Sequence, residues 1–299
     1  MEIFSNYEHL PSLKNPIMLT IGNFDGVHLG HQKILHTLEK LKSHHGGLSV
    51  VLTFSNHPLE VIKSITFPKI TPLEEKLALF KEHHVDVVIL LEFSKKLQQL
   101  PYDHFIQDIR KTLPFHTLVL GDGASFGAHQ KGTPSHIKEL ASLLHFDVLY
   151  LEKASYEGKT ISSQLVREKL AEGDVDMVKS LLGRPFGIYA PCHLEKLQET
   201  GEHLLKVTFD FQNHCTIPSG YYIVNLLCDG FTTLASAHLT SLSVDNLQKT
   251  FDLEILIKGP VSPFMNDHIK IEFLRKISPS KTFHDVVESS GKIKPLTPS

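Results

Sequence analysis

Five short apolar runs alternate with stretches of helical periodicity along the first half of the chain, and this alternation limits the fold more than any other feature. The runs are Ile17–Ile21, Leu48–Phe54, Val85–Leu91, Leu118–Leu120 and Val148–Leu151. Mostly apolar runs of this length suit strands covered on both faces, as in a parallel sheet. After Gly30, the residues Ile34, Leu35, Leu38 and Leu41 fall at helical spacing. Residues 102–111 and 134–144 read as further helices. Thr71-Pro72-Leu73-Glu74 reads as a helix start, with Thr71 as cap, Pro72 in the first helical position and Glu74 returning a bond to the cap. Together these features predict an α/β fold on a parallel sheet. Ligands of such sheets sit beyond the carboxyl ends of the strands. The segments following Gly22, Phe54 and Gly121 are therefore the ones to search.

Two more helices are expected at Ser163–Leu170 and Val175–Leu182, separated by Gly173. The rhythm then changes. From about Gly187 there are β-type runs at Lys206–Phe211, Tyr221–Leu227, Phe251–Ile257 and Lys270–Ile277. Pro218-Ser219-Gly220, Asp229-Gly230 and Gly259-Pro260 punctuate them as turns. This half is expected to be a small antiparallel barrel or sandwich. The boundary is placed near Arg184-Pro185-Phe186, giving domains of 1–186 and 187–299. The tail Lys292–Ser299, with two prolines, reads as frayed.

Composition narrows the function classes. Thirty Lys and Arg against 33 Asp and Glu, a net charge of -3, argue against nucleic acid as a general partner. A hydrophobic fraction of 41% supports a sizeable core. The cysteines are Cys192, Cys215 and Cys228, an odd number with no CxxC pair, which reads as reduced thiols in a cytoplasmic protein. Residues 1–16 carry no apolar run of signal-peptide type, and no apolar stretch is long enough for a bilayer, so no membrane association is expected. The paired histidines at 44–45 and 83–84 lack metal-site spacing, and no resident metal is expected.

The chemistry concentrates in Gly22-Asn23-Phe24-Asp25-Gly26-Val27-His28-Leu29-Gly30-His31, which leaves a strand end and enters a helix N-terminus. Glycines at 22, 26 and 30 permit close backbone approach and unusual φ angles. The free N–H groups and dipole of the helix start favour an anion such as phosphate. His28 and His31, three residues apart, can both face that anion and donate to it. This is neither a Walker A loop nor the Gly-x-Gly-x-x-Gly fingerprint.

The stretch Thr20 to His31 resembles the nucleotidyltransferase signature of the prokaryotic bifunctional riboflavin kinase/FAD synthetase family. Other segments agree in the same order. Thr53-Phe54-Ser55-Asn56-His57-Pro58 is similar to the family's Phe-x-Pro-His-Pro stretch, with Asn56 in place of a proline. Ile70 to Lys76 fits, as does Gly121 to Gly132 in part. Ile161-Ser162-Ser163-Gln164-Leu165-Val166-Arg167 resembles Ile-Ser-Ser-Thr-x-Ile-Arg, and Leu181 to Phe186 closes the module. The resemblance implies a Rossmann-like nucleotidyltransferase domain followed by a riboflavin-kinase-like β-barrel. The implied reaction transfers AMP from ATP to FMN, giving FAD and pyrophosphate. In that reading Gly22, Asn23, Phe24, Asp25 and Gly26 cradle the nucleotide, and His28 and His31 bind phosphate and stabilise the transition state. Asn56, His57, Pro58 and Phe126 belong to the binding surface. Ser162 and Ser163 hold phosphate at their helix start, the alternative being plain capping. Arg167 neutralises pyrophosphate, the alternative being a solvated helix charge. Mg²⁺ arrives with ATP, and a homo-oligomer is allowed.

Gly123 and Ala124 stand where the family carries a polar residue and an aromatic, at positions expected to face the flavin or its phosphate. In the second half, the family's Gly-Phe-Pro-Thr-Ala-Asn motif aligns with Leu205 to Asp210 and keeps only Thr208; the kinase base falls at Asp252. Riboflavin phosphorylation is the activity implied there, against a barrel retained for packing or dimerisation. Two classes therefore stay open: an FMN adenylyltransferase with an impaired or lost riboflavin kinase, and a non-catalytic flavin- or nucleotide-binding protein on the same scaffold. Nucleotidyl transfer to another phosphorylated acceptor is a further enzymatic alternative.

Overall fold

The computed structural model describes residues 1–8, 10–11, 15–191, 193–196, 202–210, 214–228, 231–244, 248–258 and 268–277. Cys192, Phe211, the turns at Asp229-Gly230 and Gly259-Pro260, and the tail Lys292–Ser299 lie outside the described residues. The chain divides into two compact units, Met1–Ser163 and Gln164–Ser299.

The first unit is built on strands β1 (Glu2–Phe4), β2 (Ile17–Ile21), β3 (Leu48–Phe54), β4 (Val87–Leu91), β5 (Thr117–Gly121) and β6 (Asp147–Leu151). They form one sheet in the order β1-β4-β3-β2-β5-β6, every pair parallel. Its helices are α1 (Leu29–His45), α2 (Pro58–Lys63), α3 (Leu73–Glu82), α4 (Lys95–Gln99), α5 (Tyr102–Thr112) and α6 (Pro134–Leu144). A single 3-10 turn spans Ala128–Gln130, and a small hairpin, β7 (Ser155–Tyr156) and β8 (Lys159–Thr160), follows β6. Alternate residues of one strand serve opposite faces. Ile17, Leu19 and Ile21 of β2 join one core with Leu52, Ile89, Ile106 and Leu118. Met18 joins the other, with Leu35, Leu38, Val51, Val88 and Val119. Cover on both faces explains why these strands read as continuous apolar runs. The chain runs outward from β2 through β3 to β4 and then returns to the other side of β2 as β5. The sheet therefore has a switch point between β2 and β5, and a crevice opens at their carboxyl ends.

One expectation fails at the start of α3. Thr71 is not the cap. The helix begins at Leu73 with Pro72 in the cap position and no side-chain cap bond. Thr71 is instead buried, and its N–H, like that of Ile70, donates to the Asp25 carboxylate. A tertiary acceptor has replaced the local one.

The second unit begins with α7 (Ser163–Glu172), whose first residue closes the first unit, and α8 (Val175–Leu182). Strands β9 (Phe186–Pro191), β10 (His193–Lys196), β11 (Glu202–Asp210), β12 (Gly220–Cys228), β13 (Phe231–Val244), β14 (Gln248–Lys258) and β15 (His268–Ile277) form one antiparallel sheet. Its order is β10-β11-β14-β13-β12-β15-β9, and β9 curls back towards β11. The division at Ser163 precedes the boundary read near Arg184. The physical reason is packing: α8 rests on β9 and β15, with Val178, Leu181 and Leu182 buried. Cys215 and Cys228 are buried. Among the described residues no helix is long and apolar enough to cross a membrane.

Candidate active site

The loop between β2 and α1 has a constrained backbone. Phe24 (φ 53°), Gly26 (φ 85°) and Val27 (φ 39°) all have positive φ. A β-branched residue there is strained, and strain of this kind persists only where the surroundings impose it. Here they do: Phe24 and Val27 are buried, Phe24 packs edge-on against Phe80 at 5.5 Å, and the Val27 N–H closes a turn onto the Phe24 carbonyl at 3.1 Å. The expectation that glycines supply the unusual φ angles is met only at Gly26. Gly22 and Gly30 supply space. A Cβ on Gly30 would lie 3.1 Å from the His28 ring, and one on Gly22 would lie 3.0 Å from the Phe24 ring.

His28 is the cap of α1. Its Nδ1 accepts from the His31 N–H at 3.3 Å. The two imidazoles stack, with centroids 3.7 Å apart and planes 15° from parallel. Phe24 flanks His31 at 5.0 Å. His31 Nδ1 is sealed from solvent and makes no hydrogen bond. Burial, followed by the neighbouring His28 and Lys76, holds His31 well below the usual imidazole range. The ring is therefore neutral at physiological pH.

Asp25 fixes the loop from beneath. Its buried Oδ1 accepts from the Ile70 and Thr71 N–H groups at 3.0 and 3.4 Å, and its carbonyl accepts from Ser163 Oγ at 2.8 Å. The Ser163 hydroxyl thus ties the start of α7 to the loop. Ser162 stands immediately before α7. Asn56 is likewise structural: its amide donates to the Phe93 carbonyl at 2.9 Å and accepts from the Phe93 N–H at 2.8 Å. His57 caps α2 through Nδ1, forms a capping box with Glu60 and stacks on Phe67 at 4.1 Å. These bonds brace the loop after β3, where Asn56 and His57 also line a small cleft beside Asn23 and Lys76.

Beside the histidine loop lies an open cavity of about 610 Å³ at the carboxyl ends of the strands. Ile21, Gly22 and Asn23 form one wall. Phe54, Pro58, Phe93, Leu97, Leu100 and Phe105 make it apolar. Ala124 to Gly127 form a further wall, and Gly123 is not among the lining residues. The first half of the candidate set is therefore brought together: Gly22 to Gly26, His28, His31, Pro58 and Phe126 share one end of the sheet. Arg167 belongs to the second unit, one turn into α7. Thr208 and Asp252 are directly opposite each other on β11 and β14.

A family model for FAD synthetase matches residues 10–165, the span that carries this loop and cavity. The chain belongs to the FAD synthetase family. The bifunctional riboflavin kinase/FMN adenylyltransferase of Buchnera aphidicola subsp. Schizaphis graminum is 31% identical over 234 residues, covering 76% of this chain and 74% of that one. The protein of that name from Buchnera aphidicola subsp. Acyrthosiphon pisum is 26% identical and covers 98% of this chain and 95% of that one. A solved structure titled macrolide-efflux protein, from Streptococcus pneumoniae, has a TM-score of 0.78 at 21% identity over 97% of this chain and 95% of that one. At that identity the likeness shows the fold alone.

Within this family site, sequence reading missed Lys76. It is buried, and its ammonium donates to the Phe54 carbonyl at 2.9 Å, Thr53 Oγ1 at 3.3 Å and the Asn23 carbonyl at 3.4 Å. Burial lowers its pKa to about 8, against the opposing pull of Asp25. The available signal was its place in the Ile70–Lys76 segment.

Proposed function

We propose that the chain is an FMN adenylyltransferase that transfers AMP from ATP to FMN. The observation that carries this reading is the shared wall: Gly22 and Asn23 belong both to the histidine loop and to the apolar cavity. A flat aromatic ring system in that cavity presents a phosphate tail to the loop where the triphosphate binds. The FMN phosphate oxygen attacks the α-phosphorus of ATP. The bond to the bridging oxygen breaks, and pyrophosphate leaves. Catalysis is positioning plus charge stabilisation. The start of α1 supplies N–H groups and its dipole, and the two imidazoles supply neutral donors.

Arg167 is assigned to pyrophosphate by its place in the Ile161–Arg167 motif. Mg²⁺ is assigned to the triphosphate as a largely hydrated ion. The donor set supports this: Asp25, the carboxylate of the loop, already accepts two backbone N–H groups on Oδ1. In the second unit Thr208 and Asp252 are register partners on β11 and β14, and this supports a second reading, residual riboflavin phosphorylation.

The test is a product assay with ATP and Mg²⁺, run separately with FMN and with riboflavin. FAD from FMN is the expected result. No FAD from FMN would sink the adenylyltransferase reading and favour a binding protein. FMN from riboflavin would establish a working second unit.

A further inference from the structure

The geometry points to Lys76 as the positioning residue that clamps the end of β2 to the end of β3 and so sets the nucleotide loop for reaction. This rests on the adenylyltransferase reading for its rate readout only. Three acceptors surround the ammonium, and it has three protons to give. Thr53 closes the set by donating from Oγ1 to the Asn23 carbonyl at 3.1 Å, so that carbonyl accepts from both residues. Asn23 is the second residue after β2, and Phe54 is the last of β3. One buried cation thus ties together the strand ends from which the histidine loop and the cavity wall depart.

Loss of one proton breaks this match. A neutral amine has two N–H groups and a lone pair. Thr53 Oγ1 can then donate to the amine and no longer to Asn23. The Asn23 carbonyl loses one of its two donors, and the loop that follows is held less firmly. The titratable groups around Lys76 come from each neighbouring element: Asp25 from the loop, His31 from α1 and Lys69 from the segment before α3 act on its charge, and His57 at the start of α2 lines the same cleft. Asp25 favours the charged form, and burial and Lys69 oppose it. The resulting value of about 8 places the change within reach of a rate measurement.

The experiment compares wild type, Lys76→Arg and Lys76→Met between pH 6.5 and about 9.5, by kcat and KM for FAD formation and, in parallel, by calorimetric titration with ATP. Expected are a wild-type alkaline limb near pH 8, a drop of at least about tenfold in kcat for Lys76→Met with that limb absent, and partial recovery in Lys76→Arg with the limb moved out of range. Near-normal kcat in Lys76→Met with the limb retained would overturn the assignment. Should Lys76→Met not fold, the wild-type and Lys76→Arg profiles decide: the same alkaline limb in both overturns it. Should wild type form no FAD, the ATP titrations decide. A fall in affinity above pH 8 in wild type but not in Lys76→Arg upholds the clamp, and identical profiles reject it.

Discussion

At position 31 the neutral imidazole is a consequence of burial, and burial also makes it a point of acid weakness. The unfolded ring takes up its proton near pH 6.5, while the folded ring does so only at lower pH. Below pH 6.5 the unfolded state therefore binds more protons, so this contribution to stability is complete above that pH and is lost as the pH falls through the folded value. Urea midpoints measured from pH 7.5 to 5 should fall less steeply in His31→Asn than in wild type. For the reaction, His31→Ala should lower kcat for FAD formation by on the order of 10²–10³-fold, as for one preorganised donor; an unchanged kcat would remove His31 from the mechanism. His28 and His31 were legible from a local signature because the loop, its cap and its helix are contiguous in the chain. Lys76 was not. On a helix with Glu74 and Lys81 near its ends it reads as a solvent-facing charge. Only the tertiary arrangement, which lays it under Asn23 and Phe54, removes it from water. The structural bonds of Asn56 and His57 to their neighbours were not legible, because no sequence pattern specifies those partners.

The elements that surround the cavity differ sharply in how well they could be read. The strands β2 and β3 and the helix α6 match their expected limits, since each has a long enough apolar pattern to declare its period. The short helices α2 and α4 were missed, because Pro58–Lys63 and Lys95–Gln99 complete too few turns to show one. In the second unit β13 was missed because Phe231–Val244 is rich in Thr, Ser and Ala, and takes its strand form from pairing with β12 and β14. The wall from Ala124 to Gly127 is pinned by contact. A Cβ on Gly127 would meet the Tyr102 backbone N at 2.3 Å, and the residue has φ +69°. Gly127→Ala should therefore destabilise the fold by at least about 1 kcal/mol, since alanine is unsuited to that backbone even before the clash. It should also weaken FMN binding, measured by flavin fluorescence titration, by displacing Phe126. Unchanged stability and affinity would show that the wall is not held by this contact.

Across the whole molecule, the buried cation sets activity and stability in opposition. Unfolded lysine keeps its proton up to about pH 10.5, while folded Lys76 gives it up near 8. Between those values the unfolded state holds more protons, so stability rises with pH through this window, by about 3 kcal/mol at most. Chemical denaturation at pH 7.5 and 10 should show that gain in wild type and not in Lys76→Met, over the same range in which the rate declines. The antiparallel sheet should also be separable from the adenylyl transfer. Thr208→Ala should leave FAD formation from FMN unchanged. A matching loss of that rate would tie the antiparallel sheet to the first reaction. The division at Ser163 was not read from the sequence because α7 and α8 look like a continuation of the α/β alternation; the structure packs α8 on β9 and β15.

The cap on α1 has an evolutionary consequence. His28 performs two jobs with two nitrogens: Nδ1 secures the helix start, and the ring proton resides on Nε2. Asp, Asn or Ser could take over the first job and none supplies the second in the same place. A lineage could drift through His28→Asp without unfolding, keeping the cavity and its ligand while falling catalytically silent. Enzyme and receptor on this scaffold are thus separated by a single codon, and the helix would give no sign that the step had been taken.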